Sequence, residues 1–517
     1  MKQYYAFLCR LGAVVTGASC VLMTIAYTSR SHVEAQTGPS MLVPNLAVRT
    51  AVSGLTQPTT MAFIGPNQFF ILEKASGQVK LVSNSAVTKT VLDLGVNNSS
   101  ERGLLGIALH PNFPTNRGVY LYWTCQVSPP DPSDLFHPTA LECPDSPAPG
   151  INGTDSSNIL AVPLRGNRVD RFNWDPGTHT LSWDHNLIKL HTFQNDGGPE
   201  PPNQGDLGQP ARGNHNGGVI RFGADGKLYI IIGDNGRRGQ LQNLLFGPTG
   251  PGVPDDQFGG PEPDANHLTG VILRLNEDGS APADNPFFAN PNAVLKKVFA
   301  YGVRNSFGMA VDPYSGNLWT QENGDDSFDE INRVEPGMDG GWIQIIGPVS
   351  RIAEFKQIET TMFGSNLQQL RWPPSNIADS PQEALSRLVL VPGAHYKDPE
   401  FSWKYAVAPG GIGFVLGRAL GPQYEGDLIV GAATPNLAGG YLFHFNLTGN
   451  RLKIGVDDPR LEDRVADNAA KFDPTESESL MFGMDFGITT DIQTGPNGNL
   501  FVVSLSKGSV FEIYRSK

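Results

Sequence analysis

The chain is poor in cysteine, in basic charge and in long apolar runs. Four cysteines in 517 residues exclude a disulfide-built scaffold, which needs several bridges in a short chain. Lys and Arg number 38 against 51 Asp and Glu, for a formal charge of −13. That balance excludes nucleic acid and an anionic membrane surface as principal partners, because both call for a basic face. A small neutral or cationic ligand, or a divalent cation, is compatible with it. Beyond the N-terminus no apolar run approaches the length of a membrane span. Helical periodicity is weak too; only SNLQQLRW and PQEALSRLV, both within residues 351–399, carry it.

Glycine and proline are abundant instead, 59 and 41 residues spread along the chain, a composition of many turns. The 39% of hydrophobic residues supplies material for a core. Length alone suggests about three domains, although one repetitive β architecture can fill it. At the N-terminus Lys2 and Arg10 precede the apolar stretch Leu11 to Tyr27, and polar TSRSHVEAQTGPS follows. Residues 1–36 therefore read as an export signal or an N-terminal membrane anchor. Residues 37–48 read as a linker and 49–517 as the folded domain. Cys9 and Cys20 fall in the leader. Cys125 and Cys143 lie in one loop-rich insert, and in an oxidising compartment they are expected to pair. Zinc is disfavoured there, since His137 is the lone histidine nearby.

One phrase returns along the chain: a turn with Gly, Asn or Asp, then an aromatic or β-branched strand. It appears as FIGPNQFFILEKASGQVKLV, FGADGKLYIIIGD, DPYSGNLWTQENG and TGPNGNLFVVSLSKGSVFEIYR. Such divergent repeats predict an all-β fold, a β-propeller of about six units, because each small sheet buries its faces only against its neighbours. A β-sandwich assembly is the alternative. Long Pro- and Gly-rich insertions interrupt the repeats at 125–158, 196–213, 239–267 and 351–399.

Polar residues just ahead of inner strands converge on a propeller's axis, which makes them candidates for a site. Three stretches qualify: Glu101 and Arg102 in ERGLLGIALHP, Asn214 and His215 in GNHNGGV, and Arg304 and Asn305 in YGVRNSFGMAVDP. His215 suits a general base, since imidazole titrates near neutrality; a hydrogen-bonded loop histidine of the kind read at His110 and His267 is the plainer alternative. Arg304 with Asn305 offers a planar cationic fork beside an amide, suited to a carboxylate or quinone oxygen, or to tying sheets together. ENGDDSFDEIN, Glu322 to Asn332, crowds carboxylates into a turn and suits calcium, though without the spacing of an EF-hand loop; a solvated acidic turn is the other reading. Asp234 and Asp312 read as turn formers.

GLLGIALHPNF, HNGGVIRFGADGKLYIIIGD, GVILRLNEDGSAPADNPFF, YGVRNSFGMAVDP, DEINRVEPGMDGGW and GPNGNLFVV resemble, in the same order, phrases of the PQQ-dependent soluble sugar dehydrogenases, the glucose/sorbosone dehydrogenase-like six-bladed propellers. The resemblance runs from about residue 50 to the end. It implies an exported oxidoreductase that oxidises an aldose or related sugar with PQQ and calcium, passing electrons to an acceptor that the sequence does not identify. By the same resemblance His215 is the proton acceptor, and Arg304 and Asn305 contact the quinone. Gly324 and Asp325 hold calcium through their carbonyls, Glu330 binds a further calcium, and Glu101 and Asn214 touch the sugar. The departures lie where PQQ carboxylates are paired: Ile488 and Thr490 replace two arginines, GAATPNLAGG lacks a lysine, and Val303 replaces a histidine. Arg221, Arg237 or Arg238 could compensate. Those losses keep open a non-catalytic propeller of the hedgehog-interacting-protein type binding a protein or glycan, and the acidic turn keeps open a calcium-dependent lactonase.

Overall fold

The computed structural model describes residues 38–126, 143, 163, 165–192, 213–236, 268–362 and 374–516. The leader over residues 1–36, most of the insertions at 125–158, 196–213 and 239–267, and the stretch SNLQQLRW lie outside the described residues.

Among the described residues, tight turns join short strands into six mainly antiparallel sheets. In the first, Pro58–Gly65, Gln68–Glu73, Gln78–Ser83 and Ala86–Asp93 follow one another as a meander. The second has the same order, from Leu104–Leu109 through Gly118–Thr124 and Asn167–Asp175 to Thr180–Leu190. The third, fourth and fifth sheets start with Ile220–Phe222, Gly308–Val311 and Pro409–Phe414, and the sixth with Thr489–Thr494. The starting strands adjoin one another in chain order, and the sixth adjoins the first, so the ring closes. This is an all-β propeller, as the repeats predict.

The two faces of a single strand show why the sheets stack around an axis. Leu228, Ile230 and Ile232 pack with Tyr120 and Val169 of the second sheet, while Tyr229 and Ile231 pack with Met309 and Leu318 of the fourth. A strand covered on both faces reads as a continuous apolar run rather than an alternating one, which is what LYIII is. Burying a Leu or Ile side chain contributes about 1.5–3 kcal/mol, so the contacts between sheets carry much of the fold's stability.

Two ties close the ring. Leu46–Ser53 pairs antiparallel with Ser509–Arg515, completing the sixth sheet with the beginning of the described chain. Ser40–Met41 likewise pairs with Met481–Met484 in the fifth. The linker expected over residues 37–48 is therefore corrected in part: residues 40–41 and 46–48 find open sheet edges and become strand. The second tie is Asp491, which accepts hydrogen bonds from Thr60 Oγ1 (2.7 Å) and the Met61 amide (3.1 Å) of the first sheet. Its other oxygen holds Arg221 Nη2 of the third sheet at 2.7 Å. The third and sixth sheets stand opposite each other in the ring order, so this ion pair crosses the axis.

Cys125 and Cys143 form a disulfide and both are buried. Helix occurs at Pro381–Ser386, inside PQEALSRLV, with Ser380 Oγ capping the Glu383 amide at 3.2 Å. A longer helix, Ile352–Thr361, has no counterpart in the sequence expectations.

Candidate active site

The hairpin Ile220–Phe222 and Leu228–Ile232 turns at Asp225-Gly226, where Gly226 takes a φ of 72°. Its register pairs Ile220 with Ile230, so the loop entering the first strand and the loop leaving the second meet at one end. His215 lies on the entering loop and Asp234 on the leaving one. His215 Nδ1 meets Asp234 Oδ1 at 2.6 Å, and the two side chains are each 3% exposed. Asp234 was expected to be only a turn former; it is the partner of the imidazole. With Nδ1 so engaged, the ring's second nitrogen, Nε2, is the one left to meet a substrate.

Neighbouring sheets fasten this loop. Glu101 Oε2 accepts the His215 amide at 2.6 Å, and Arg102 Nη1 donates to the Gly213 carbonyl at 2.7 Å. Tyr122 Oη donates to the Asn216 carbonyl at 2.8 Å. His215 itself holds a φ of 56°, a left-handed conformation that L side chains adopt at some cost and that clusters at functional sites. Asn214 lies against Gly236, where a Cβ would meet its Oδ1 at 2.0 Å.

Asp234 connects the imidazole to the arginine. Its Oδ2 accepts Trp342 Nε1 at 3.0 Å, and the Arg304 guanidinium lies 5.4 Å from the centre of the Trp342 ring. The Asp234 amide donates to the Arg304 carbonyl at 2.9 Å. Burial pushes the Asp234 carboxyl upward, but the His215 ring, Arg304 and the Gly236 amide together hold it below the usual range. It therefore stands ionised beside the ring. Arg304 donates to the Asn323 carbonyl (2.9 Å) and to Asp325 Oδ1 (3.1 Å), and its amide meets Glu322 Oε1 at 2.5 Å. Beside it, Asn305 Oδ1 is buried and accepts no hydrogen bond from the described residues.

A cavity of about 380 Å³ opens among the inner strands and is lined by Glu101, Gly217, Arg221 and Asn323 as well as Ile488 and Thr490. Its size falls in the range of small-molecule sites, about 300–1,000 Å³. Among the described residues its cations are Lys74 and Arg221, both engaged: Lys74 Nζ donates to the Asn98 carbonyl at 2.9 Å, and Arg221 holds Asp491. Arg237 and Arg238 lie outside the described residues. Val303 is packed among Ile231, Phe299 and Met309.

The acidic turn is walled by protein groups. Glu330 Oε1 accepts the Gly347 amide (2.5 Å) and Oε2 the Asn332 side chain (2.8 Å), and burial pushes its carboxyl up to about 7. Asp329 accepts three amides, from Gly324, Val407 and Ala408, yet burial raises it to about 6. The Asp325 carbonyl, one of the two expected for calcium, accepts Lys471 Nζ at 3.2 Å. No cluster of three His, Cys, Asp or Glu fit for a metal occurs among the described residues.

Sequence reading missed Asp234, Trp342, Lys471 and Glu359. The first was accessible by counting the register outward from the Asp225-Gly226 turn, which brings Asp234 within one residue of the position opposite His215. The others come from distant segments with no local signature.

A family model described as glucose/sorbosone dehydrogenase matches residues 55–133 and 207–376. Quinoprotein glucose dehydrogenase B of Acinetobacter calcoaceticus is 28% identical over 59% of this chain and 53% of its own length. Aldose sugar dehydrogenase YliI of Escherichia coli is 30% identical over 43% of this chain and 45% of its own. The matches thus span about half the length of these curated relatives. A solved structure titled glucose dehydrogenase shares the fold, with a TM-score of 0.57 and 20% identity over 90% of this chain and 99% of that one. On the matched segments and these relatives, the chain is similar to the glucose/sorbosone dehydrogenase family.

Proposed function

We propose that the chain is an exported quinoprotein oxidoreductase, each of its six sheets forming one blade, that oxidises an aldose or related sugar with His215 as its base. The observation that carries this reading is the buried His215–Asp234 pair, joined through Trp342 to Arg304. A bound pyrroloquinoline quinone would supply the hydride acceptor, and the N–H groups of Arg304 and of the Asn305 side chain would be the donors to its quinone oxygens. Nε2 of His215 takes the proton of the sugar hydroxyl. Asp234 fixes the tautomer through Nδ1 and stabilises the imidazolium as it forms. Glu101 holds the backbone of the base in place while facing the cavity. The Asp325 carbonyl and the Glu330 carboxylate are taken up by protein N–H groups, so no step is assigned to calcium. The buried disulfide supports an oxidising compartment.

Ile488 and Thr490 on the cavity wall favour a second reading, the non-catalytic propeller. Each missing charge-assisted bond to a carboxylate is worth about 1.5–3 kcal/mol. Titration with PQQ, followed by absorbance, separates the two. Saturable binding at micromolar cofactor is expected, and its absence moves the assignment to the scaffold. With PQQ bound, His215→Ala should abolish dye-linked sugar oxidation while cofactor affinity stays nearly the same; unchanged turnover removes His215 from its role.

A further inference from the structure

The resemblance assigns the carbonyls of Gly324 and Asp325 to calcium, yet the turn that carries them already has a cation of its own. Lys471 Nζ donates to the Asp325 carbonyl at 3.2 Å and pairs with the carboxylate of Asp326. Asp326 is 3% exposed and Lys471 23% exposed, so water screens this pair less than it screens an ordinary surface pair.

The lysine is delivered by a fastened loop. Asn468 Nδ2 donates to the carbonyls of Tyr405 (2.9 Å) and Asp473 (3.0 Å), while its Oδ1 accepts the Tyr405 amide (2.8 Å). The Phe472 amide donates to the Ala406 carbonyl at 2.8 Å, and the Ala406 amide to the Asp326 carbonyl at 3.1 Å. Ala406 is thus clasped between the loop of Lys471 and the turn that Lys471 reaches. From the opposite side Arg304 takes the side chain of Asp325, and Glu359 Oε1 accepts the Ser327 hydroxyl at 2.7 Å together with the amides of Asp326 and Ser327.

We propose that Lys471 is a built-in counter-cation: its ammonium holds the Asp325 carbonyl and the Asp326 carboxylate where a divalent ion is expected, so the turn keeps its shape without metal. A calcium ion at the same carbonyl would stand beside a like charge already donating to that oxygen. Asp325 Oδ2, Asp326 Oδ2 and Glu359 Oε2 are buried and accept no hydrogen bond. With the ammonium removed, the freed Asp325 carbonyl and the Asp326 carboxylate that Lys471 now joins are oxygens of the kind a hard cation takes.

Calcium bound per chain, counted by equilibrium dialysis of the full-length protein without cofactor, tests this independently of whether PQQ binds. Lys471→Met is expected to bind one ion more than wild type, and adding Asp326→Asn to that variant removes the extra ion. Lys471→Arg, which keeps a cation, gains none. Equal counts in wild type and Lys471→Met overturn the proposal, as does a gain by Lys471→Arg. If Lys471→Met fails to fold, Asp326→Asn in the wild-type chain decides: an unchanged count supports the built-in cation, and loss of an ion overturns it.

Discussion

Asp234 determines which nitrogen of His215 is available, so its charge can be removed with little change in shape. Asp234→Asn leaves an amide that can present its N–H to Nδ1, which favours the tautomer with the proton on Nε2, useless for accepting one. Turnover in the dye-linked assay is expected to fall roughly 10²–10⁴-fold, the usual contribution of a positioned base, with PQQ affinity nearly unchanged. A variant retaining wild-type turnover would mean that the pair is structural. At this scale the sequence was legible in part. His215 stood out because an imidazole in a Gly- and Asn-rich loop ahead of a buried strand has little local reason to be there. Asp234 did not, because an aspartate after a strand is ordinary turn chemistry and its role depends on a partner across the hairpin. Trp342, contributed from beyond the fourth sheet's inner strands, carried no local signal.

The helix Ile352–Thr361 was invisible for a related reason. It buries Ile352, Phe355, Ile358 and also Glu359, so a charged residue stands where periodicity looks for an apolar one. That carboxyl is pushed up to about 8, by burial first and then by Asp325. The unfolded chain releases its proton near the ordinary value of 4.5, so the folded state binds the proton more tightly. Its contribution is present below about pH 4.5 and declines as pH rises toward 8, by about 1.4 kcal/mol per pH unit for one such group. Glu359→Gln keeps an acceptor for Ser327 and removes the titration. Its melting temperature relative to wild type should be higher at pH 8 than at pH 5.5; parallel profiles would show that Glu359 stays ionised throughout. The strands were easier to foresee, since runs such as LYIII between Gly-containing turns have few alternatives.

For the whole molecule the closing strand matters most. Leu46–Ser53 buries Leu46, Ala51 and Val52; for the Leu and the Val alone that is roughly 3–6 kcal/mol. Deleting residues 1–53 uncovers Ser509–Arg515 as an exposed edge, which invites pairing between molecules. A lower melting temperature and light scattering at micromolar concentration are expected, and an unchanged melt would show that the ring holds without this strand. The propeller as a whole was readable from its recurring turn-and-strand phrase. The strand at its beginning was not, because its pairing partner lies more than 400 residues away.

The Arg221–Asp491 pair spans the hub like a crossbar, from one sheet to the sheet facing it, and Arg221 forms part of the wall of the chamber. Prising those two sheets apart would strand a buried carboxylate without its cation, so the bar opposes any widening of the hub.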